Sequence, residues 1–471
     1  MKYNTLHPTS AHHPDARPVS STLQLVGQLN ARLGLTHADL DNMPGTWRRH
    51  RLSENDFNDL KGHYYTAHIY AMTETSASTE TPPPDDPHGV ARPDDLHGVA
   101  RYNALLPEHG PLVLPLRARW GTTEYRCIVK NVSVWFFPIC NLILFSIEID
   151  DSGNTLSDIT AMHAQWKNWS QNYEHNFSTD TLDKLLRPLA ELTTDDDLKP
   201  IPDGSLKKTL AHLTLDETKM RQYQVVQVDE PTLRDDLLYE LATHSTVGVV
   251  ADTNLKASFK PSDDYFHSII RDNALSVFSN WKALALNDTF TVLAIDPVFQ
   301  YSELDFRYFD MLYMRCLVQE YYCFQRNNHY RNEPADKNVA KLSLEIEKME
   351  KYYFYDDFSY DFLPPLLYQG MVRGLGLEGD RRELTLHVKQ GVRDAHRKME
   401  EDRRKQNDVT IAIVKLFTIV TVAWTIFLMV KEIAGISDTC PLMALIFLVI
   451  SLGVTAWLVR PFFKTDKENK Q

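Results

Sequence analysis

Two long apolar runs near the end of the chain restrict its fold more than any other feature. Residues 409–430 (VTIAIVKLFTIVTVAWTIFLMV) are 22 positions with one charge, Lys415, and residues 442–459 (LMALIFLVISLGVTAWLV) are 18 with none. A helix needs about 20 predominantly apolar residues to cross the ~30 Å hydrocarbon core of a bilayer. Only a short loop around Gly435 separates the runs. Soluble cores seldom hold two such runs in succession, so the pattern predicts a helical hairpin through a membrane. Arg397, Lys398, Arg403, Arg404 and Lys405 precede the first run, and Arg460, Lys464, Lys467 and Lys470 follow the second, while the loop holds only Lys431. The positive-inside rule then places both termini in the cytoplasm, with the hairpin as a multi-pass anchor in the inner (cytoplasmic) membrane.

The residues ahead of the hairpin are expected to form a packed body, since 43% of the chain is hydrophobic and 11% aromatic. A net charge of −13 argues against direct nucleic-acid binding and suits cations. Five cysteines, Cys127, Cys140, Cys316, Cys323 and Cys440, form no CxxC pair and read as reduced cytosolic thiols. The first twenty residues lack the apolar core of a signal peptide. The chain contains no Walker A, HExxH or GxSxG pattern. Gly374–Gly379 matches GxGxxG literally, but no strand precedes it, so it reads as a break between helices. No catalytic residues, no covalent cofactor and no enzymatic activity are expected.

In chain order, residues 1–110 read as an N-terminal tail, a short helix and a linker. The helix is expected at 21–34, where Leu23, Leu25, Val26, Leu29 and Leu33 fall near helical spacing, and the linker contains a tandem repeat, DDPHGVARP followed by DDLHGVARY. Residues 111–300 are assigned to a cytoplasmic α/β domain. Strands are expected at 112–119, 124–130, 132–137 and 142–149, closed by the turn at 150–154. Mixed, mostly helical structure is expected from 154 to 244, with a helix beginning at Pro231, and another helix or helix pair is expected from 263 to 280, running into 281–295.

Residues 301–408 read as a helical hairpin and a stalk helix. Phe306, Phe309, Tyr313, Cys316 and Glu320 share one face of the first arm; Val339, Leu342, Ile346, Met349 and Tyr353 form a heptad-like stripe on the second, after a loop at 327–336. The stalk, 383–408, carries an apolar seam of Leu384, Val388, Val392, Ala395 and Met399. No helix breaker follows Gly391, so stalk and first membrane run are expected to form one helix of about 70 Å. Residues 409–463 are the transmembrane hairpin and 464–471 a basic cytoplasmic tail. The fold class is therefore an α+β cytoplasmic domain, with a mixed or antiparallel sheet and helices, a long helical stalk and two C-terminal transmembrane helices.

This arrangement resembles the CorA-like divalent cation transporters. The resemblance is carried by Phe362-Leu363-Pro364-Pro365-Leu366-Leu367-Tyr368 before the stalk, by the stalk itself and by the hairpin. It implies a homo-oligomer, a pentamer by family precedent, with the first span inside and magnesium or another divalent cation as the transported ion. Where that family closes its first span with Gly-Met-Asn, this chain has Gly435-Ile436-Ser437. The departure is similar to CorA-like proteins that accompany type III CRISPR systems. That resemblance implies an antiviral membrane effector, triggered by a signalling nucleotide to permeabilise the membrane. A membrane-anchored scaffold that conducts nothing is the third reading.

On the first run, Asn407, Thr410, Val414, Phe417, Thr421, Thr425 and Leu428 fall on one helical face and are the candidate pore-lining residues. Threonine hydroxyls either replace part of an ion's hydration shell or bond back to their own helix, and Phe417 and Leu428 suit a gate that closes by dewetting. Lys415 lies off this face and is expected to snorkel to the cytoplasmic interface. Asp263, Asp264, Asp356 and Asp357 are candidates for a gate in the body, bridged between neighbouring subunits by a divalent cation or ligand, or else helix-capping and solvated residues.

Overall fold

The computed structural model describes residues 15–29, 31, 34–43, 47–65, 68–69, 72, 99–106, 112–117, 124–167, 184–193, 209, 213, 220–229, 233–252, 260–295, 305–332, 339–354 and 356–433. Its centre is a ten-stranded mixed sheet built from β1 (Ser20–Gln28), β2 (Trp47–His50), β3 (Ala100–Ala104), β4 (Leu112–Arg117), β5 (Glu124–Phe137), β6 (Leu142–Asp150), β7 (Arg221–Val228), β8 (Ala274–Leu275), β9 (Trp281–Leu286) and β10 (Thr289–Ile295). The order is β2-β3-β5-β6-β1-β7-β10-β9-β8, with β4 also paired to β5. Every pairing is antiparallel except β7 with β10.

Several segments depart from the sequence expectation. Residues 20–28, expected as part of a helix, form the central strand β1, paired to β6 on one side and β7 on the other. Leu23 and Leu25 pack in one core, while Gln24 and Val26 face the opposite side, and all four are buried. A strand covered on both faces loses the apolar–polar alternation that would mark it in sequence. Strand β7 lies where mostly helical structure was expected, and 281–295 is the hairpin β9–β10, turned at Asn287-Asp288, instead of a continued helix. The expected strands 124–130 and 132–137 are one strand, β5, with a bulge between Val129 and Asn131.

Helices cover both faces. Tyr223 and Val225 of β7 point to the side packed by α6 (Asp305–Asn332) and α8 (Leu363–Gly374), where Tyr223, Phe290 and Tyr313 stack with ring centres 5.5–6.2 Å apart. Val226 and Val228 alternate to the other side and pack with Ile159 of α3 (Leu156–Lys167) and Leu237 and Leu241 of α4 (Asp235–Thr243). Among the described residues the other helices are α1 (His37–Asp41), α2 (Glu54–Lys61), a 3-10 helix (Arg187–Leu192), α5 (Asp263–Asn273), α7 (Val339–Tyr352) and α9 (Leu377–Ile433). Met349 and Tyr353 of the expected stripe are buried; the side chains of Val339 and Leu342 lie outside the described residues.

Pro364 and Pro365 sit in the first turn of α8, where a missing N–H costs nothing. The break expected at 374–379 is a tight turn with Gly376 at φ +73°. From there α9 runs for 57 residues, through the stalk and into the first apolar run. The chain divides into two units, Met1–Val388 and Lys389–Gln471. The described part of the second is the helix from Lys389 to Ile433. The loop at 434–441, the second apolar run, the basic tail and the first copy of the tandem repeat lie outside the described residues.

Candidate functional site

Helix α9 places Asn407, Thr410, Val414, Phe417, Thr421, Thr425 and Leu428 along one side, within an arc of about 80° at 100° per residue. All seven are exposed in the single chain. Each threonine on this side bonds back: Thr410 Oγ1 donates to Gln406 O (2.9 Å), Thr421 to Phe417 O (2.7 Å) and Thr425 to Thr421 O (2.8 Å). The two sequence readings of these hydroxyls are therefore compatible. The proton is committed to the helix, and the oxygen keeps both lone pairs free to accept. What faces out is a ladder of acceptors. Metal-bound water presents hydrogens outward, so such a ladder suits a hydrated cation and repels an anion.

The apolar side chains of α9 are not confined to a stripe. Val409, Ile413, Phe417, Ile419, Val422 and Trp424 are 47%, 49%, 67%, 47%, 52% and 61% exposed and together point all round the helix. An amphipathic helix on a soluble core shows an apolar stripe; an all-round apolar surface belongs to a buried or membrane helix. Lys415 is also exposed, about 120° from the threonine face. Among the described residues no helix is long and apolar enough to cross a membrane; the side chains of Ala423, Ile426, Phe427 and Val430 fall outside that description.

The acidic gate candidates lie at two separate places in the chain. Asp263 and Asp264 occupy the first turn of α5, whose N-cap Ser262 accepts from Tyr265 N, and there they complement the helix dipole. Asp356 and Asp357 are exposed in the turn before α8. Among the described residues no group of three or more His, Cys, Asp or Glu side chains is placed to hold a metal ion.

Two buried polar clusters of the body were not legible as sites in sequence. On the α3 side, His163 Nε2 lies 2.7 Å from Asp151 Oδ2 and its Nδ1 meets Gln224 Oε1. Gln224 Nε2 in turn donates to Thr291 Oγ1 at 2.8 Å, and Gln222 Nε2 to His163 O at 2.9 Å. Both ring nitrogens are engaged, so the histidine ties α3 to β7 and β10 and is not a free base or ligand.

On the α6 side, Asp310 is fully buried; Gln24 Nε2 donates to its Oδ1 at 2.8 Å, and the Arg101 guanidinium lies 3.8 Å from Oδ2. Arg101 stacks 4.6 Å from the ring centre of Trp135, and Glu148 sits across from Gln24 in the β1–β6 register. Burial, then the Asp310 carboxylate, push Glu148 up to about 7 against the pull of Arg101 and Lys130. The sequence signal was a polar residue at an inward position of each strand, Gln24, Arg101 and Glu148, but nothing marked Asp310 as their partner. Comparison with known proteins finds no matching family model, no similar curated protein and no similar solved structure.

Proposed function

We propose that this chain is a membrane protein that assembles in several copies around a cation path lined by the Thr410–Thr421–Thr425 face of α9, with the α+β body on the cytoplasmic side. The observation that carries the reading is the exposed apolar surface all round α9 after Val409. Each large apolar side chain left in water forgoes roughly 1–2 kcal/mol. Summed over this helix, that rivals the 5–15 kcal/mol net stability of a whole domain. A bilayer and neighbouring copies remove the cost together. Two spans per chain cannot enclose a path alone, so a homo-oligomer, a pentamer by the CorA-like resemblance, is part of the proposal. The outward acceptor ladder supports cations, magnesium included, as the transported class.

Gly435-Ile436-Ser437, where the resemblance would have Gly-Met-Asn, favours a second reading on the same scaffold. In it the path opens only when a signalling nucleotide binds the body. Flux of magnesium and potassium into proteoliposomes carrying the purified chain tests both. Spontaneous cation flux is expected under the first reading. Folded oligomers in sealed vesicles would move the weight to the triggered form, and a monomer in detergent would overturn both.

A further inference from the structure

The cluster around Asp310 holds acceptors without donors. Gln24 Oε1 and Asp310 Oδ2 are buried with no hydrogen-bond partner, although Gln24 Nε2 and Asp310 Oδ1 bond to each other. A buried acceptor left unmade is costly, so two in one place call for a missing donor. The strand register identifies it. Glu148 stands directly opposite Gln24 on β6, and directly opposed side chains have Cβ atoms about 5 Å apart.

We propose that Glu148 and Asp310 form a proton-operated latch between the sheet and α6, in which a protonated Glu148 carboxyl donates its O–H to Gln24 Oε1 or Asp310 Oδ2. The proton comes from solvent and returns to it, and no other bond changes. With the proton in place one carboxylate, Asp310, faces one guanidinium, Arg101, and the buried charges balance. Without it two carboxylates compete for Arg101, the donor is lost, and the hold of β1 and β6 on α6 weakens. The other charged groups facing the cluster are Lys130 of β5 and Asp150 of β6, which pair with each other at 3.1 Å. Burial also raises Asp310 and lowers Arg101, each opposed by their mutual attraction. The latch concerns the body alone and stands whether or not the membrane reading does.

Hydrogen exchange of the full chain in detergent, from pH 6 to pH 8 and corrected for intrinsic exchange, tests it. Protection of α6 from Asp310 to Cys323 is expected to fall about tenfold over this range, the effect of one pKa unit of linkage. Any change at α4, which carries Glu240, should be the same in wild type and in Glu148→Gln. Glu148→Gln, whose amide donates at every pH, should abolish the fall, and Asp310→Asn should diminish it. Because wild type alone must show the transition, the test survives an unfolded variant. Level protection of α6 in wild type, or an unchanged fall in Glu148→Gln, would overturn the latch.

Discussion

The guanidinium of Arg315 lies 4.6 Å from the ring centre of Phe358, and the ring of Tyr368 lies 5.1 Å from the same group. Arg315 is wholly buried on α6; its Nε donates to Tyr353 O at 3.1 Å and its Nη1 to His68 Nδ1 at 2.8 Å. One cation thus binds α6, the turn after α7, α8 and the segment following α2. Buried cation–π contacts contribute about 2 kcal/mol and hydrogen bonds to charged groups about 1.5–3 kcal/mol. Arg315→Met is expected to destabilise the body by about 3 kcal/mol, with Arg315→Lys recovering less than half, since lysine lacks the planar fork. Thermal unfolding followed by tryptophan fluorescence checks both; a lysine variant equal to wild type would refute the stacked geometry.

His68 sets an acid limit on the same clamp. Burial, and after it the Arg315 charge, hold its pKa well below the ordinary 6.5. The unfolded chain therefore binds a proton near pH 6 that the folded chain refuses. The stability linked to this ring is present above 6.5 and lost as pH falls toward the folded value, at up to about 1.4 kcal/mol per pH unit. His68→Gln should flatten part of the loss between pH 6.5 and 5, read from unfolding midpoints.

Glu240 acts in the opposite sense. Its carboxylate accepts from Gly248 N and Val250 N, each at 2.9 Å, yet burial pushes it up to about 7 from the ordinary 4.5. Between those values the folded chain holds a proton that the unfolded chain does not. Its contribution to stability falls as pH rises through this window and levels off above 7. Glu240→Gln should remove that slope, whereas Glu240→Ala, which strips two backbone donors of their acceptor, should cost about 2 kcal/mol at pH 6.

Two glycines of α8 should respond unequally to a methyl group. A Cβ at Gly374 would meet the backbone carbonyl carbon and oxygen of Ala285, both at 2.5 Å, so the helix would have to lift from β9. At Gly370 the nearest atom is the Leu275 Cδ1 at 2.5 Å, on a side chain that can rotate. Gly374→Ala is expected to cost about 3 kcal/mol, at the severe end of overpacking, and Gly370→Ala about 1 kcal/mol. Equal losses in denaturant titrations would contradict this packing.

Flux should follow the acceptor ladder. Thr421→Leu replaces an outward oxygen by a methyl-rich side chain and should reduce cation flux in proteoliposomes at least about tenfold, one lost contact of about 1.4 kcal/mol. Ile419→Ala, about 160° round the helix, should leave flux within about twofold of wild type. Equal effects from the two would place the path elsewhere.

The local signals that sequence carries best are turns, long uninterrupted runs and helix breakers. β4, the two arms of β5, β6, the break at Gly376 and the uninterrupted helix past Val409 all follow from residue type and spacing over ten or twenty positions. The bulge at Val129 and Asn131 did not, because a single extra residue hides in an apolar run. By itself, then, the sequence determined the strand-rich segment from 112 to 150, the long helix α9 and the threonine face along it, since each depends on neighbours close in the chain. Tertiary structure decided the rest. Ser20–Gln28 became a strand because β6 and β7 pair both its edges and packed side chains cover both its faces, which overrides local helical spacing. Asp310 met Arg101, 209 positions away, and Gln24, 286 away, only because the sheet brings three strands beneath α6. Buried charge and hydrogen bonding are properties of such encounters, and no window of sequence contains them.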